Sequence, residues 1–290
     1  VTSGATNPDS VARPGAPPHD DAVKRPEVTV LGTSSQVPTR FRNHNGYLVR
    51  WGAEGFLFDP GENTNRQLVL AEVDPRAITK VCITHFHGDH CLGLAGLFHR
   101  LGRERVEHPV DVYFPAYGRV FVERALAACI DGGELDVRLH GFDDEGTVFD
   151  DGRFRASARQ LSHSIRTFGY RLEEIGGDER VLAFVMDTRK CRAALELAAH
   201  ADLLIIEATY LSSEEREARE RGHMTAAHAA EIAARAGVGR LLLTHFSQRY
   251  PNTRAHVAEA KRIHADVKAA SDLRRYAMPA RRREHDSRAS

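Results

Sequence analysis

Residues 84–90 read THFHGDH, directly after the apolar run Val81-Cys82-Ile83. Imidazoles and a carboxylate crowded this closely would cost on the order of several kcal/mol to desolvate without a partner, so a purely structural role is disfavoured and a bound cation is the natural partner. His85 and His87 lie two apart, and side chains on an extended backbone alternate with a period of two, so both can point to one side and grip one ion. Asp89 and His90 follow Gly88, whose missing side chain lets the chain turn sharply, and they can face a second ion. Two ions held a few ångströms apart clamp a substrate for hydrolysis, provided that further ligands arrive from elsewhere.

The chain offers those ligands at strand ends. His163 follows ARQL, Asp187 ends VLAFVMD and His245 ends RLLLTH. Each stands where a β-run meets a loop, the place at which a buried sheet can present a polar atom. A lone histidine beside an apolar strand is usually a satisfied structural residue. The repetition of this placement is what argues for ligands. Nitrogen and oxygen donors without thiolate suit zinc, with manganese or iron as the alternative. Cys82, Cys91, Cys129 and Cys191 are scattered without a C-x-x-C pair, which argues against a zinc ribbon or a disulfide framework.

The elements that must position these groups alternate along the chain. EVTVLG, GYLVRW, GFLFDP and KVCITH read as strands stopped by Gly, Pro or polar clusters, and Thr64 to Val73, Cys91 to Leu101 and Arg119 to Cys129 have helical spacing. FRASARQL, TFGYRLEE, RVLAFVMD, DLLIIEAT and RLLLTH repeat the strand pattern, with helices expected over Lys190 to His200, Thr225 to Ala236 and Ala255 to Ala270. Both halves run from a group of strands into strand-helix units, which fits a pseudo-symmetric pair of sheets covered by helices.

The 290 residues suffice for one large α/β domain. Composition divides the chain into a Pro-, Gly- and Ser-rich disordered leader at 1–26, a folded domain at 27–270 and a basic, disordered tail at 271–290. Lys plus Arg and Asp plus Glu both number 40, so net charge does not advertise a polyanionic partner. No run approaches the ~20 apolar residues that cross a bilayer, and the first residues lack the pattern of a secretory signal, so the expectation is a cytoplasmic protein without a membrane partner.

THFHGDH resembles the signature of the metallo-β-lactamase superfamily. LGTSSQVPTRFRNHNGYL, LSHSIRTFGYRL, FVMDTRKC, IIEATY, GHMTAAHAAEIA and LLLTHFSQRY make the chain similar to the ribonuclease Z branch, the tRNA 3′-processing endonucleases. The resemblance implies a four-layer αββα sandwich of two mixed sheets. It implies that His85, His87 and His163 hold one zinc, that Asp89, His90 and His245 hold a second, and that Asp187 bridges them. It further implies that a metal-activated hydroxide attacks the phosphodiester, that Asp89 handles its proton, and that Glu207 and His223 protonate the leaving 3′-oxygen of precursor tRNA. A homodimer is implied as well. Asp59 is expected either to orient a ligand or to form a strand-end turn, and Arg40, Arg42 and Asn43 to touch substrate.

The chain also departs from that pattern. Asn63 and Asn65 stand where the family has glycine and glutamine, and Ile206 where histidine is common. Between His163 and Asp187 many bacterial relatives insert a long tRNA-gripping arm, and here the interval holds only a hairpin signal, GGDE. The alternative function is therefore a small phosphodiesterase of the same fold, acting on cyclic nucleotides or other diesters.

Overall fold

The strand runs gather into two seven-stranded sheets in a computed structural model that describes residues 23–129 and 134–281. In the first sheet β1 (Val23–Gly32), β2 (Gly46–Gly52) and β3 (Glu54–Phe58) form an antiparallel meander. β4 (Lys80–Cys82), β5 (Val110–Pro115) and β6 (Val137–Phe142) add to it in parallel. The second sheet repeats the plan. β7 (Gly146–Asp150), β8 (Phe154–Gln160), β9 (Phe168–Glu174) and β10 (Val181–Val185) are antiparallel neighbours. β11 (Leu203–Glu207), β12 (Arg240–Thr244) and β13 (Val267–Ala269) continue in parallel. β14 (Arg275–Ala277) returns to pair with β1.

Parallel neighbours need a crossover that returns over the sheet, and helices supply it. In the first half these are α1 (Thr64–Leu70), the single turn α2 (Gly88–Cys91), α3 (Leu94–Arg103) and α4 (Arg119–Leu126). In the second they are α5 (Arg192–Ala198), α6 (Glu215–Arg221), α7 (Ala226–Arg235) and α8 (Arg254–Lys261).

Three apolar clusters fill the interfaces of a four-layer αββα sandwich. Leu68, Leu97 and Val122 of α1, α3 and α4 pack on Leu48 and Leu57. Leu197, Ile232 and Ala260 of α5, α7 and α8 pack on Val185 and Leu243. Between the sheets lie Tyr47, Phe58, Tyr170 and Phe184, with the rings of Phe58 and Phe184 stacked 4.6 Å apart. Alternate residues of β10 face opposite cores: Val181, Ala183 and Val185 point to the helices, Leu182 and Phe184 to the other sheet. Burial on both faces is why such strands read as unbroken apolar runs rather than alternating ones.

The structure widens the domain beyond its expected bounds. Residues 23–26 belong to β1, and part of 271–281 forms β14. Met278 is buried, and the Asp272 carboxylate accepts from Thr33 Oγ1 at 2.7 Å and Asn43 N at 2.6 Å. The rest of the leader, and 282–290 of the tail, lie outside the described residues. Expected helix 255–270 stops at Lys261, which leaves room for β13.

Candidate metal centre

The ligand candidates meet at one rim of the sandwich, where strands end. β4 stops at Cys82, so His85 and His87 stand in the loop beyond it and Asp89 and His90 on α2. His163 follows β8, Asp187 follows β10 and His245 follows β12. Asp59, Asp187 and His245 all adopt positive φ, at 45°, 44° and 59°. Non-glycine residues rarely hold this conformation, and strain of this kind gathers where side-chain direction matters more than backbone comfort. Gly61 permits the assembly, because a Cβ there would lie 2.3 Å from the Asp89 carbonyl oxygen.

Asp187 is the centre of the arrangement. Its Oδ2 lies 3.5 Å from Nε2 of both His85 and His163, while Oδ1 lies 3.3 Å from His90 Nε2 and 3.1 Å from His245 Nε2. His87 Nδ1 is 3.1 Å from His85 Nε2 and 3.3 Å from His163 Nε2. Asp89 Oδ2 is 3.3 Å from His90 Nε2 and 3.4 Å from His245 Nε2. Each oxygen of Asp187 thus faces a different group of donors. Two such groups, His85-His87-His163-Asp187 and Asp89-His90-His245, each converge within 4.8 Å.

Histidine ligands are held by their other ring nitrogen, which fixes the tautomer and aims the free lone pair. His85 Nδ1 meets Thr84 Oγ1 at 2.9 Å, and that hydroxyl donates to Asp59 Oδ2 at 2.8 Å. In the other half His245 Nδ1 meets Thr209 Oγ1 at 2.8 Å, and that hydroxyl donates to Glu207 Oε2 at 2.7 Å. The same imidazole-hydroxyl-carboxylate chain is therefore built twice. Asp59 also accepts from His90 Nδ1 at 2.8 Å, and the Gly222 carbonyl from His163 Nδ1 at 2.9 Å. Gly222 closes α6 at φ 82°, a left-handed cap that suits glycine.

These donors fit metal ions. Two ligands at about 2.0–2.1 Å from a tetrahedral ion stand about 3.3–3.4 Å apart, the spacing seen among the nitrogens and oxygens here. Asp187 Oδ1 is buried and makes no hydrogen bond, although two imidazole nitrogens lie within reach. Burial and the neighbouring His90 lower the pKa of His85 to about 3, and burial lowers His87 and His163 too, which leaves them neutral and able to ligate. At His90 burial opposes a charge, yet Asp187, Asp89 and Asp59 outweigh it and raise the pKa well above the ordinary value. The local field calls for positive charge, which a bound cation provides.

Beside the cluster, His223 Nδ1 lies 3.0 Å from Glu207 Oε1. Glu207 is fully buried and also accepts from Thr188 N at 2.6 Å and Met224 N at 3.1 Å. His223 is placed by backbone pairing between the segments after β11 and before α7: Tyr210 N donates to Met224 O, and Ala226 N to Tyr210 O. Burial disfavours a proton on His223, but the Glu207 carboxylate outweighs it and the pKa rises to about 9. A cavity of about 600 Å³ opens over the cluster, lined by His87, Asp89, His163, Asp187, His223 and His245.

Thr84 and Thr209 stand inside THFHGDH and IIEATY, but the sequence assigned neither of them a role. Nor did it single out the cavity-lining Gln36, Ser164, Arg221 and Arg249. Arg40, Arg42 and Asn43 do not line the cavity. Arg42 donates to Tyr250 O at 2.8 Å and Ser247 O at 3.4 Å, bracing the loop after His245 from behind. Asn43 Nδ2 donates to Glu62 O at 2.8 Å and His44 O at 3.1 Å. The Arg42 Nη and Asn43 Nδ2 groups are thus engaged with backbone carbonyls of the protein. Arg40 lies over the exposed Phe41 ring, 5.6 Å from its centroid.

The chain is similar to known proteins over most of its length. The β-lactamase superfamily domain model matches residues 55–246. A ribonuclease Z of Nocardia farcinica is 44% identical over 88% of this chain and 99% of its own length, and one of Salinispora arenicola is 42% identical over 88% and 97%. The crystal structure of the short form of human tRNase Z superposes with a TM-score of 0.74 at 30% identity, covering 87% of this chain and 99% of the human one. The alignment to the Nocardia protein runs over 301 positions while taking in only part of a 290-residue chain, so that relative carries stretches this one lacks.

Proposed function

The chain belongs to the ribonuclease Z family of the metallo-β-lactamase superfamily, and from that premise we propose that it is a binuclear zinc endoribonuclease removing the 3′ trailer from precursor tRNA. The observation that carries this reading is the Asp187 carboxylate with one oxygen toward each histidine group. His85, His87 and His163 would hold one ion, Asp89, His90 and His245 the other, with Asp187 between them. Nitrogen and oxygen donors without thiolate favour zinc over manganese or iron. Bound there, the pair would sharpen a water into a nucleophile and neutralise the phosphoryl oxygens.

The chain's own groups do the rest. Asp89 holds and orients the proton of the attacking water, its carboxylate steadied by Gln36 N at 2.8 Å. His223, kept protonated by Glu207, delivers a proton to the departing 3′-oxygen, so the tRNA leaves with a free 3′-hydroxyl. Asp59 aims His90 and, through Thr84, His85.

The small phosphodiesterase is not favoured, because relatives sharing 38–44% identity with this chain bear the ribonuclease Z name. Between His163 and Asp187 the chain has only β9 and β10 with a short turn. Folded tRNA would therefore dock on another surface, or on a partner subunit. Tyr117, Val120 and Phe121 form an exposed apolar patch around Phe86, suited to a homodimer. Sedimentation is expected to give twice the chain mass, and Phe121→Asp to shift it to one chain; a monomeric wild type would remove this part.

Among the described residues no helix is long and apolar enough to cross a membrane. A cytoplasmic location is part of the proposal and follows from the proposed tRNA substrate. Elemental analysis of purified protein is expected to give close to two metal equivalents per chain, together with trailer removal from a precursor tRNA. One equivalent or none, or cleavage of a chromogenic diester without trailer removal, would sink the proposal.

A further inference from the structure

Arg249 is held flat against the cavity wall. Its Nη1 and Nη2 donate to Glu217 Oε2 and Oε1 at 2.8 and 2.7 Å, and its Cζ sits 4.9 Å from the centroid of the Tyr210 ring. Glu217 in turn pairs with Arg221 Nε at 3.0 Å, so this anion is shared by two cations. The loop that carries Arg249 is fastened on both sides: Arg42 holds its carbonyls, and Tyr250 Oη accepts from Leu211 N at 3.1 Å and donates to Glu214 Oε2 at 2.8 Å. Glu217 engages one N–H of each Nη, which fixes the plane of the guanidinium and leaves its outer face for a ligand. One face covers Tyr210, and the side chain remains 38% exposed on the cavity wall.

The position of this plane decides what it would meet. A general acid must lie within hydrogen-bond reach of the oxygen it protonates, so the nucleoside that departs with the 3′-oxygen sits beside His223. The Tyr210 ring is His223's neighbour, with centroids 6.2 Å apart, and Arg249 lies on that ring. Unpaired RNA bases stack on arginine planes and aromatic rings, a contact that tolerates any base because every base has a π-face.

We propose that the Tyr210–Arg249 stack, clamped by Glu217, is the platform for the base immediately 5′ of the scissile phosphate, which makes Arg249 a positioning residue for the cut. This rests on the endoribonuclease reading above and names the subsite that would set the cleavage register.

The test uses the full chain with two precursor tRNAs, one intact and one abasic at the nucleotide before the cut. Wild type is expected to lose about tenfold in kcat/KM on the abasic substrate, the scale of one base stack. Arg249→Lys keeps a charge for Glu217 but not the plane. It is expected to lose about tenfold on the intact substrate and to show little further loss on the abasic one. Tyr210→Leu should behave likewise. If the two losses multiply, or if Arg249→Lys cleaves the intact substrate as wild type does, the platform is overturned while the enzyme reading stands. If wild type cleaves neither RNA, the enzyme reading falls and the platform with it.

Discussion

Asp187→Asn is expected to lower precursor cleavage by at least about a hundredfold, because even residues that merely orient metal ligands cost roughly 10–100-fold when changed. Asparagine is the informative replacement. Position 187 has φ 44°, which asparagine tolerates and alanine does not, so the exchange removes charge without adding backbone strain. The neutral amide presents one oxygen instead of two equivalent ones, and only one of the two histidine groups can then face an acceptor. Elemental analysis should accordingly fall below the wild-type metal content, while thermal melting of metal-free protein stays close to wild type. β10 supports this control, since Val181 to Val185 are all buried in the two cores regardless of the ion. Full metal content with undiminished cleavage would end the bridging role. His85→Ala, which opens only the group containing His87 and His163, should cost one equivalent and most of the activity.

Much of this centre was legible because the fold concentrates its signals. Strands buried on both faces, such as LLIIE of β11, appear as continuous apolar runs, and the residue that ends each run is forced to the rim. That is why Asp187 and His245 could be picked out 24 and 82 residues beyond His163 without knowledge of the topology. The strands missed were β5, a short buried run VDVYFP, β13, inside the stretch expected to be helical, and three whose pattern is diluted. β6 and β7 each alternate exposed and half-buried residues, and β14 is three residues long, RYA, inside a stretch whose composition is basic. Pairing with β1, a contact across about the whole chain length, decides its state, and no local pattern encodes that.

The departures from the family pattern also acquire a physical reading. Asn63 has φ 64° just before α1, a left-handed conformation that glycine adopts freely and asparagine tolerates, so the exchange preserves the turn. The supporting threonines were invisible for a different reason. Thr84 and Thr209 act through a single hydroxyl between an imidazole and a carboxylate, and a threonine at a strand end is ordinary. An arginine beside a polar loop reads the same in sequence whether it faces ligand or carbonyls, and the carbonyl partners of Arg42 come from the folded loop 247–250.

His223→Ala is expected to slow precursor cleavage by about 10²–10⁴-fold, the range for loss of a general acid. The readout that separates this from mere disruption is the leaving group. A ribose 3′-oxygen departs poorly without a proton, whereas a nitrophenolate departs without one, so hydrolysis of a nitrophenyl diester should fall far less in the same variant. Glu207→Gln should lie between wild type and His223→Ala. The amide can still meet His223 Nδ1, 3.0 Å from Oε1, but it lacks the charge that overcomes burial and keeps His223 protonated. Truncation to alanine would be uninformative, since Glu207 accepts from Thr188 N, Met224 N and Thr209 Oγ1 as well. Stranding those buried donors costs about 1–3 kcal/mol each. Glutamine sets at most one donor against another, at Met224 N, and a thermal melt can report that cost separately from the rate. Equal losses on both substrates for His223→Ala would assign the residue to the architecture of the site and remove it from proton transfer.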